Sequence, residues 1–182
     1  MEESLSEEST SEKNTGAGKR FLISLVRIIL IVVAIVGISV VLTDKVFSAY
    51  KVSGDAMEPG LTPGEVVVCL KTTDVTRGDV VVLNEDGKLL IRRVIGLGGD
   101  TVDIGEDGMV AVNGSFIDES YVDTLTLGKT DITLPVTVPD GEVFLLGDNR
   151  QTAIDSRVSV FGTVRSEEIA GKVLFHLPKI GD

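Results

Sequence analysis

The chain has 182 residues, 43% hydrophobic and 25% charged, with a formal net charge of -11. A single cysteine excludes an intramolecular disulfide or a cysteine-rich zinc site, and a single histidine excludes any two-histidine metal motif. The acidic balance argues against a nucleic-acid partner, which needs a positive face.

Mean hydropathy is +0.29, high for a soluble chain, so the placement of the apolar residues matters. Residues 1–20 open with MEESLSEESTSEKNTGAG, rich in Ser and Glu, which cannot bury enough surface to fold alone. They read as a disordered cytoplasmic tail, with an acidic interaction tail as the alternative. Residues 21–43 read FLISLVRIILIVVAIVGISVVLT, with one charge at Arg27. A helix of this length, at about 1.5 Å per residue, spans a bilayer core of about 30 Å. The apolar run is longer than the roughly 7–15 residues of a signal-peptide core, so it reads as an uncleaved transmembrane anchor. Lys19, Arg20 and Arg27 precede or open the span, and Lys45 and Lys51 follow it. That bias favours a cytoplasmic N-terminus, with everything from residue 44 onward outside the cytoplasm.

Residues 44–182 alternate short β-branched runs with Gly, Pro, Asp and Asn. Strands are expected over 65–70, 79–83, 88–97, 100–104, 109–114, 142–147 and 171–177. Asp86-Gly87, Asp107-Gly108, Asn113-Gly114 and Asp140-Gly141 mark the turns. Asp118–Thr137 has no clear pattern and reads as a long loop or small insertion. The fold class expected is mainly β, a sandwich or barrel, with one N-terminal transmembrane helix.

Isolated reactive residues carry little. Cys69 lies among valines, as an inert buried thiol does. His176 reads as a strand-edge residue, and a Ser-His-Asp enzyme would depend wholly on it. Asp118-Glu119 and Glu167-Glu168 read as solvated surface. Two stretches are denser in special residues: Val52–Leu61 (VSGDAMEPGL) and Gly147–Arg157 (GDNRQTAIDSR). In the second, alternating Arg and Asp suggest ion pairs that stiffen a loop.

In order along the chain, these motifs resemble those of type I signal peptidases of the Gram-positive kind. Gly54-Asp55-Ala56-Met57-Glu58-Pro59-Gly60-Leu61 is similar to the family's G-x-S-M-x-P-T-L, and Arg77-Gly78-Asp79-Val80-Val81-Val82 to R-G-D-[IV]-V-V-F. Arg92-Arg93-Val94-Ile95-Gly96-Leu97-Gly98-Gly99-Asp100 is similar to K-R-V-I-G-L-P-G-D, and Val112-Asn113-Gly114 to the V-N-G turn. Gly147-Asp148-Asn149-Arg150 with Asp155-Ser156-Arg157 is similar to G-D-N-R-x-x-S-x-D-S-R. The resemblance covers about Phe21 to the C-terminus. It implies a membrane-anchored serine protease with a signal-peptidase-like β domain, which cuts signal peptides with a Ser–Lys dyad. It implies no cofactor and no metal.

The departures from the family fall on its chemistry. Ala56 stands where the resemblance puts the nucleophilic serine, and a methyl group cannot attack a carbonyl. Arg92 stands where it puts the general-base lysine, and a guanidinium stays protonated. Ala153 replaces the serine that supports the lysine. The motifs also carry Gly60 for Thr and Gly98 for Pro. No catalytic residue is therefore intact. Asp55, Met57, Pro59, Arg93, Asp148, Ala153, Asp155 and Arg157 are expected as peptide-binding or scaffold residues. The resemblance implies pairing of Arg93 with Asp148 and of Asp155 with Arg157.

Three readings follow. The chain is a pseudoenzyme that keeps a peptide-binding groove and serves secreted or surface polypeptides, such as signal-peptide-bearing precursors or pilins, as dyad-lacking relatives do in pilus assembly. Or it is an engineered Ser-to-Ala form of a working peptidase. Or it cuts signal peptides through another nucleophile, with Ser53, Thr152 and Ser156 the candidates and Lys88 the lysine nearest to Arg92. Arg92 itself is expected to pair with Asp55, to meet a partner's carboxylate, or to fill space.

Overall fold

The computed structural model describes residues 12–85 and 88–179. The chain divides between Lys45 and Val46 into two compact units.

The first unit is a helix, α1, over Glu12–Val46. Its stretch Lys19–Ile38 is long and apolar enough to cross a membrane, and none of it is buried within the protein. The helix begins at Glu12 rather than at Phe21, so residues 12–20 of the expected tail are helical. Extending an existing helix needs one bond per residue and no new nucleus, which lets the apolar segment carry its polar neighbours. Residues 1–11 lie outside the described residues.

Among the described residues, the strands of the second unit all pair antiparallel, with a 3-10 turn at Ser166–Glu168. Its strands are β1 (Phe47–Lys51), β2 (Val66–Leu70), β3 (Val80–Glu85), β4 (Lys88–Leu97), β5 (Thr101–Ile104) and β6 (Val110–Val112). They continue with β7 (Ser115–Phe116), β8 (Val136–Thr137), β9 (Glu142–Leu146), β10 (Val164–Arg165) and β11 (Ile169–Leu177). Seven strands form one sheet in the order β1-β2-β11-β3-β4-β9-β10, and four form another in the order β7-β6-β5-β8.

Burial alternates with period two in β2, β5 and β6, whereas β4 and β9 have a core cluster on each face and bury consecutive residues. In β2, Val67 and Cys69 are buried, and the residues between them are half-buried. Val81, Leu83, Val94 and Leu145 of β3, β4 and β9 build one core cluster. Ile95, Val102, Val112 and Phe144 build a second, where the two sheets meet. Val52, Met57, Leu61, Val67 and Ile91 build a third. Every expected strand is present within one or two residues of its limits. The two-residue turn Asn113-Gly114 has positive φ at both positions, as a tight hairpin requires. The expected turn Asp86-Gly87 lies outside the described residues.

Asp118–Thr137 is irregular until β8, as expected. It is not a free loop, because Leu127, Ile132 and Leu134 pack on the second core cluster.

The register of β4 positions the site. β3 pairs along it from Val80↔Arg93 to Glu85↔Lys88. On the other side, β9 joins only from Arg93↔Leu146 to Leu97↔Val143. Among the described residues, Lys88–Arg92 therefore has a strand on one edge only.

Candidate functional site

Arg92 and Arg93 are consecutive on β4, so their side chains leave on opposite faces of the strand. They build two unlike environments.

On the Arg92 side lies a cleft of about 430 Å³, lined by Asp55, Ala56, Met57, Arg92, Ile154 and Phe161 among others. It brings Arg92 together with Asp55, Ala56 and Met57, which lie 35 or more positions earlier and which the sequence also singled out. Met57 is buried in the third core cluster, which fixes the 54–61 turn. The Leu61 N–H donates to the Met57 carbonyl at 2.9 Å, and the Glu58 N–H to the Asp55 carbonyl at 3.0 Å. Arg92 is only 6% exposed. Its Nε and Nη2 donate to the Ile154 carbonyl at 3.0 and 2.7 Å, and Nη1 donates to the Ile91 carbonyl at 2.6 Å. Its guanidinium carbon lies 5.9 Å from the centre of the Phe161 ring. These bonds go to main-chain carbonyls rather than to Asp55. Ser53, Thr152 and Lys88 also line the cleft. Ser156 does not, because it is buried and its Oγ accepts from the Leu145 N–H at 2.9 Å.

On the Arg93 side the guanidinium grips Asp148 with two bonds, Nε to Oδ1 at 2.8 Å and Nη2 to Oδ2 at 2.6 Å. Burial pulls the Arg93 pKa down, but the bond to Asp148 and the nearby negative charges outweigh it, so the pKa stands above its ordinary value. The Tyr121 ring stacks on it with its centre 3.9 Å from the guanidinium carbon. The Tyr121 hydroxyl donates to Glu119 at 3.0 Å, and Glu119 pairs with the buried Arg150. Burial first, then the Glu119 carboxylate, push the Tyr121 hydroxyl pKa well up.

Between the two sides runs the 147–157 segment. Asp155 and Arg157 are fully buried and joined by two bonds of 2.8 Å. Asp155 Oδ2 also accepts the Gly147 N–H at 2.9 Å, and Arg157 Nη1 donates to the Leu127 and Arg150 carbonyls. Such extra bonds are what make a buried ion pair tolerable. Gly147 must be glycine here, because a Cβ would strike the Ala153 methyl and come 2.6 Å from the Ala56 carbonyl oxygen. The Ala56 carbonyl accepts the Asn149 N–H at 3.0 Å, which ties the 54–61 turn to this segment.

The sequence-predicted residues thus fall into three places. Asp55, Ala56, Met57 and Arg92 share the cleft. Ala153, Asp155 and Arg157 are buried in the 147–157 segment. Pro59 and Asp148 line a separate polar cleft of about 350 Å³ with Glu58, Asp123 and Arg150. Both expected ion pairs form.

Glu119 corrects an expectation. It is not solvated surface, because its side chain is 4% exposed against Arg150. Tyr121 and Arg150 were also missed as site residues, and the alternation of Arg and Asp in 147–157 was the one available signal for Arg150. Cys69 is buried, and burial pushes its thiol up to about 11, so it is inert as expected. His176 is an exposed strand residue whose Nδ1 lies 3.2 Å from Glu65. Among the described residues, no group of three or more His, Cys, Asp or Glu is placed to hold a metal ion.

Residues 22–177 match the family described as signal peptidase, peptidase S26. A signal peptidase I of Bacillus amyloliquefaciens is 34% identical over 178 residues, covering 91% of this chain and 92% of its own length. Signal peptidase I S of Bacillus subtilis strain 168 is 37% identical over 160 residues, covering 80% of this chain and 84% of its own. The crystal structure of a signal peptidase I from Enterococcus faecalis V583 is 31% identical, with a TM-score of 0.45, covering 56% of this chain and 97% of that one.

Proposed function

The chain belongs to the signal peptidase family, peptidase S26, and we propose that it is a member that holds peptides without cutting them. The observation that carries this reading is the pairing of Ala56 and Arg92 in one cleft. Ala56 has no hydroxyl to attack a carbonyl. Arg92 cannot take a proton, since a guanidinium keeps its charge at any physiological pH. A dyad needs both a nucleophile and a base, and the two residues at these motif positions supply neither.

The binding part of the reading has separate support. Strand addition needs main-chain groups on an open edge and apolar pockets beside it. Lys88–Arg92 has one open edge, and Met57, Ile91, Leu89 and Phe161 line the cleft next to it. The ligands are then secreted or surface polypeptides, namely signal-peptide-bearing precursors or pilins in transit through an assembly machine. The helix α1 anchors the chain in the cell membrane, with the N-terminus cytoplasmic and residues 44–182 outside. Asp55, Met57 and Pro59 shape the peptide side of the site, and Arg93, Asp148, Ala153, Asp155 and Arg157 support it.

A second reading has its own support: the relatives above bear the name signal peptidase I. On it, the chain cuts signal peptides through another nucleophile, and Ser53 and Thr152 line the cleft. Incubating the full-length protein in nanodiscs with a purified preprotein separates the two. The pseudoenzyme reading expects the preprotein to stay intact yet bind. Turnover that persists through repeated purification and is abolished by Ser53→Ala or Thr152→Ala overturns it.

A further inference from the structure

The apolar span of α1 carries a charge. Arg27 is the one charged residue between Phe21 and Thr43, and it is the seventh residue of that run. At about 1.5 Å per residue it sits about 9 Å along the helix from Phe21. An ionisable group inside a span is costly unless it meets a counter-charge or reaches the interface. The helix supplies no counter-charge, because no Asp or Glu stands between Glu12 and Asp44.

Arg27 has polar company on one face of α1. At about 100° of turn per residue, Arg20, Ser24 and Arg27 fall within an arc of about 60°. All three are exposed, and none of the Lys19–Ile38 stretch is buried within the protein. Lys19 stands off this face, about 100° from Arg20. Helical side chains lean toward the N-terminus, so Arg27 runs back over Ser24 toward Arg20. Its methylenes stay in the apolar run while its charged head rises to the polar boundary. Two guanidiniums with a hydroxyl between them converge there as donors. That set fits an anion with several acceptor oxygens in one group, as a phosphate has.

We infer that the Arg20–Ser24–Arg27 face binds the phosphate of an anionic phospholipid in the leaflet on the N-terminal side. Depth decides for lipid over an acidic residue of a neighbouring helix. The phosphate lies at the headgroup level where the Arg27 head arrives, whereas a helix carboxylate would meet it inside the apolar run. A zwitterionic lipid carries its own ammonium beside its phosphate, so the face selects headgroups without one. A lipid held there fixes the depth and rotation of α1 in the bilayer. This rests on α1 being the membrane anchor and is independent of what the β domain holds.

The test is native mass spectrometry of the full-length protein released from nanodiscs of phosphatidylglycerol and phosphatidylcholine in equal parts. The wild-type chain is expected to retain phosphatidylglycerol over phosphatidylcholine by about fivefold or more. Arg20→Gln and Arg27→Gln are each expected to remove most of that preference. Lys19→Gln is expected to leave it, although all three variants lose the same charge. Glycerol phosphate added in excess is expected to displace nothing. Equal retention of the two lipids by the wild type overturns the inference and leaves the anchor standing. So does a loss from Lys19→Gln as large as from the arginine variants. Displacement by glycerol phosphate assigns the face to a soluble phosphate and overturns the lipid. A full-length protein that stays soluble without detergent or lipid overturns the anchor and this inference together.

Discussion

Arg92 and Arg93 are neighbours in sequence and opposites in surroundings. Arg93 has a bidentate carboxylate, a stacked tyrosine and, through that tyrosine, a link to Glu119 and Arg150. The bonds that Arg92 makes to Ile154 and Ile91 go to neutral carbonyls at the floor of a cleft. The difference separates two jobs that an active site normally merges. One face holds the backbone of the 147–157 segment in place. The other presents groups to whatever enters the cleft. On the account given above, the first job is intact and the second has changed from cutting to holding.

Substitutions should then cost stability on one face and little on the other. The largest loss is expected for Arg157→Met, which strands the fully buried Asp155 carboxylate. About 3–5 kcal/mol should go, read by urea unfolding of the full chain. Ala56→Ser, on the cleft side, should move the same curve by no more than about 0.5 kcal/mol. If the two cost the same, the division of labour is wrong.

Asp148→Ala comes next, at about 1–3 kcal/mol, because it leaves the mostly buried Arg93 without its carboxylate. Tyr121→Leu removes the stacking and the bond to Glu119, worth about 0.5–2 kcal/mol together. It should also quicken proteolysis within 118–131 while leaving peptide affinity at the cleft unchanged. Lost affinity would show that the two faces are coupled.

The smallest effect concerns pH. Burial raises the Asp100 pKa, but bonds from the Leu97 N–H, the Asn113 amide and Arg77 outweigh this and hold it below 3.8. A folded-state pKa that is depressed adds stability above the unfolded value and loses it as pH falls through the folded one. Stability should therefore drop below about pH 4, and Asp100→Asn should flatten that drop while lowering stability at pH 7. An unchanged acid slope would remove Asp100 from the account.

Strands whose burial follows from local pattern were legible in the sequence. KLLIRRVIGL is β4 to the residue, because an apolar, partly β-branched run lies between turn-forming residues on both sides. The strand β1, FSAYK, was missed, since it is an edge strand with no buried apolar set of its own and exists by pairing with β2. The two-residue strands β7, β8 and β10 are set by register with longer partners, which no local window reveals. The pairs Arg93–Asp148 and Asp155–Arg157 were legible through motif resemblance. The Glu119–Arg150 pair was not, because 31 positions separate the partners and Glu119 sits in a stretch without periodicity. The open edge of β4 was equally hidden, since it depends on where β9 begins to pair.

The central claim is that the scaffold is whole and only the cutting groups have gone. The most direct test is a preprotein cleavage assay that compares the wild-type chain with an Ala56→Ser/Arg92→Lys double variant, both full length in nanodiscs. The account predicts no cleavage by the wild type and clear cleavage by the double variant. Cleavage by the wild type at a rate equal to or above that of the double variant would contradict it.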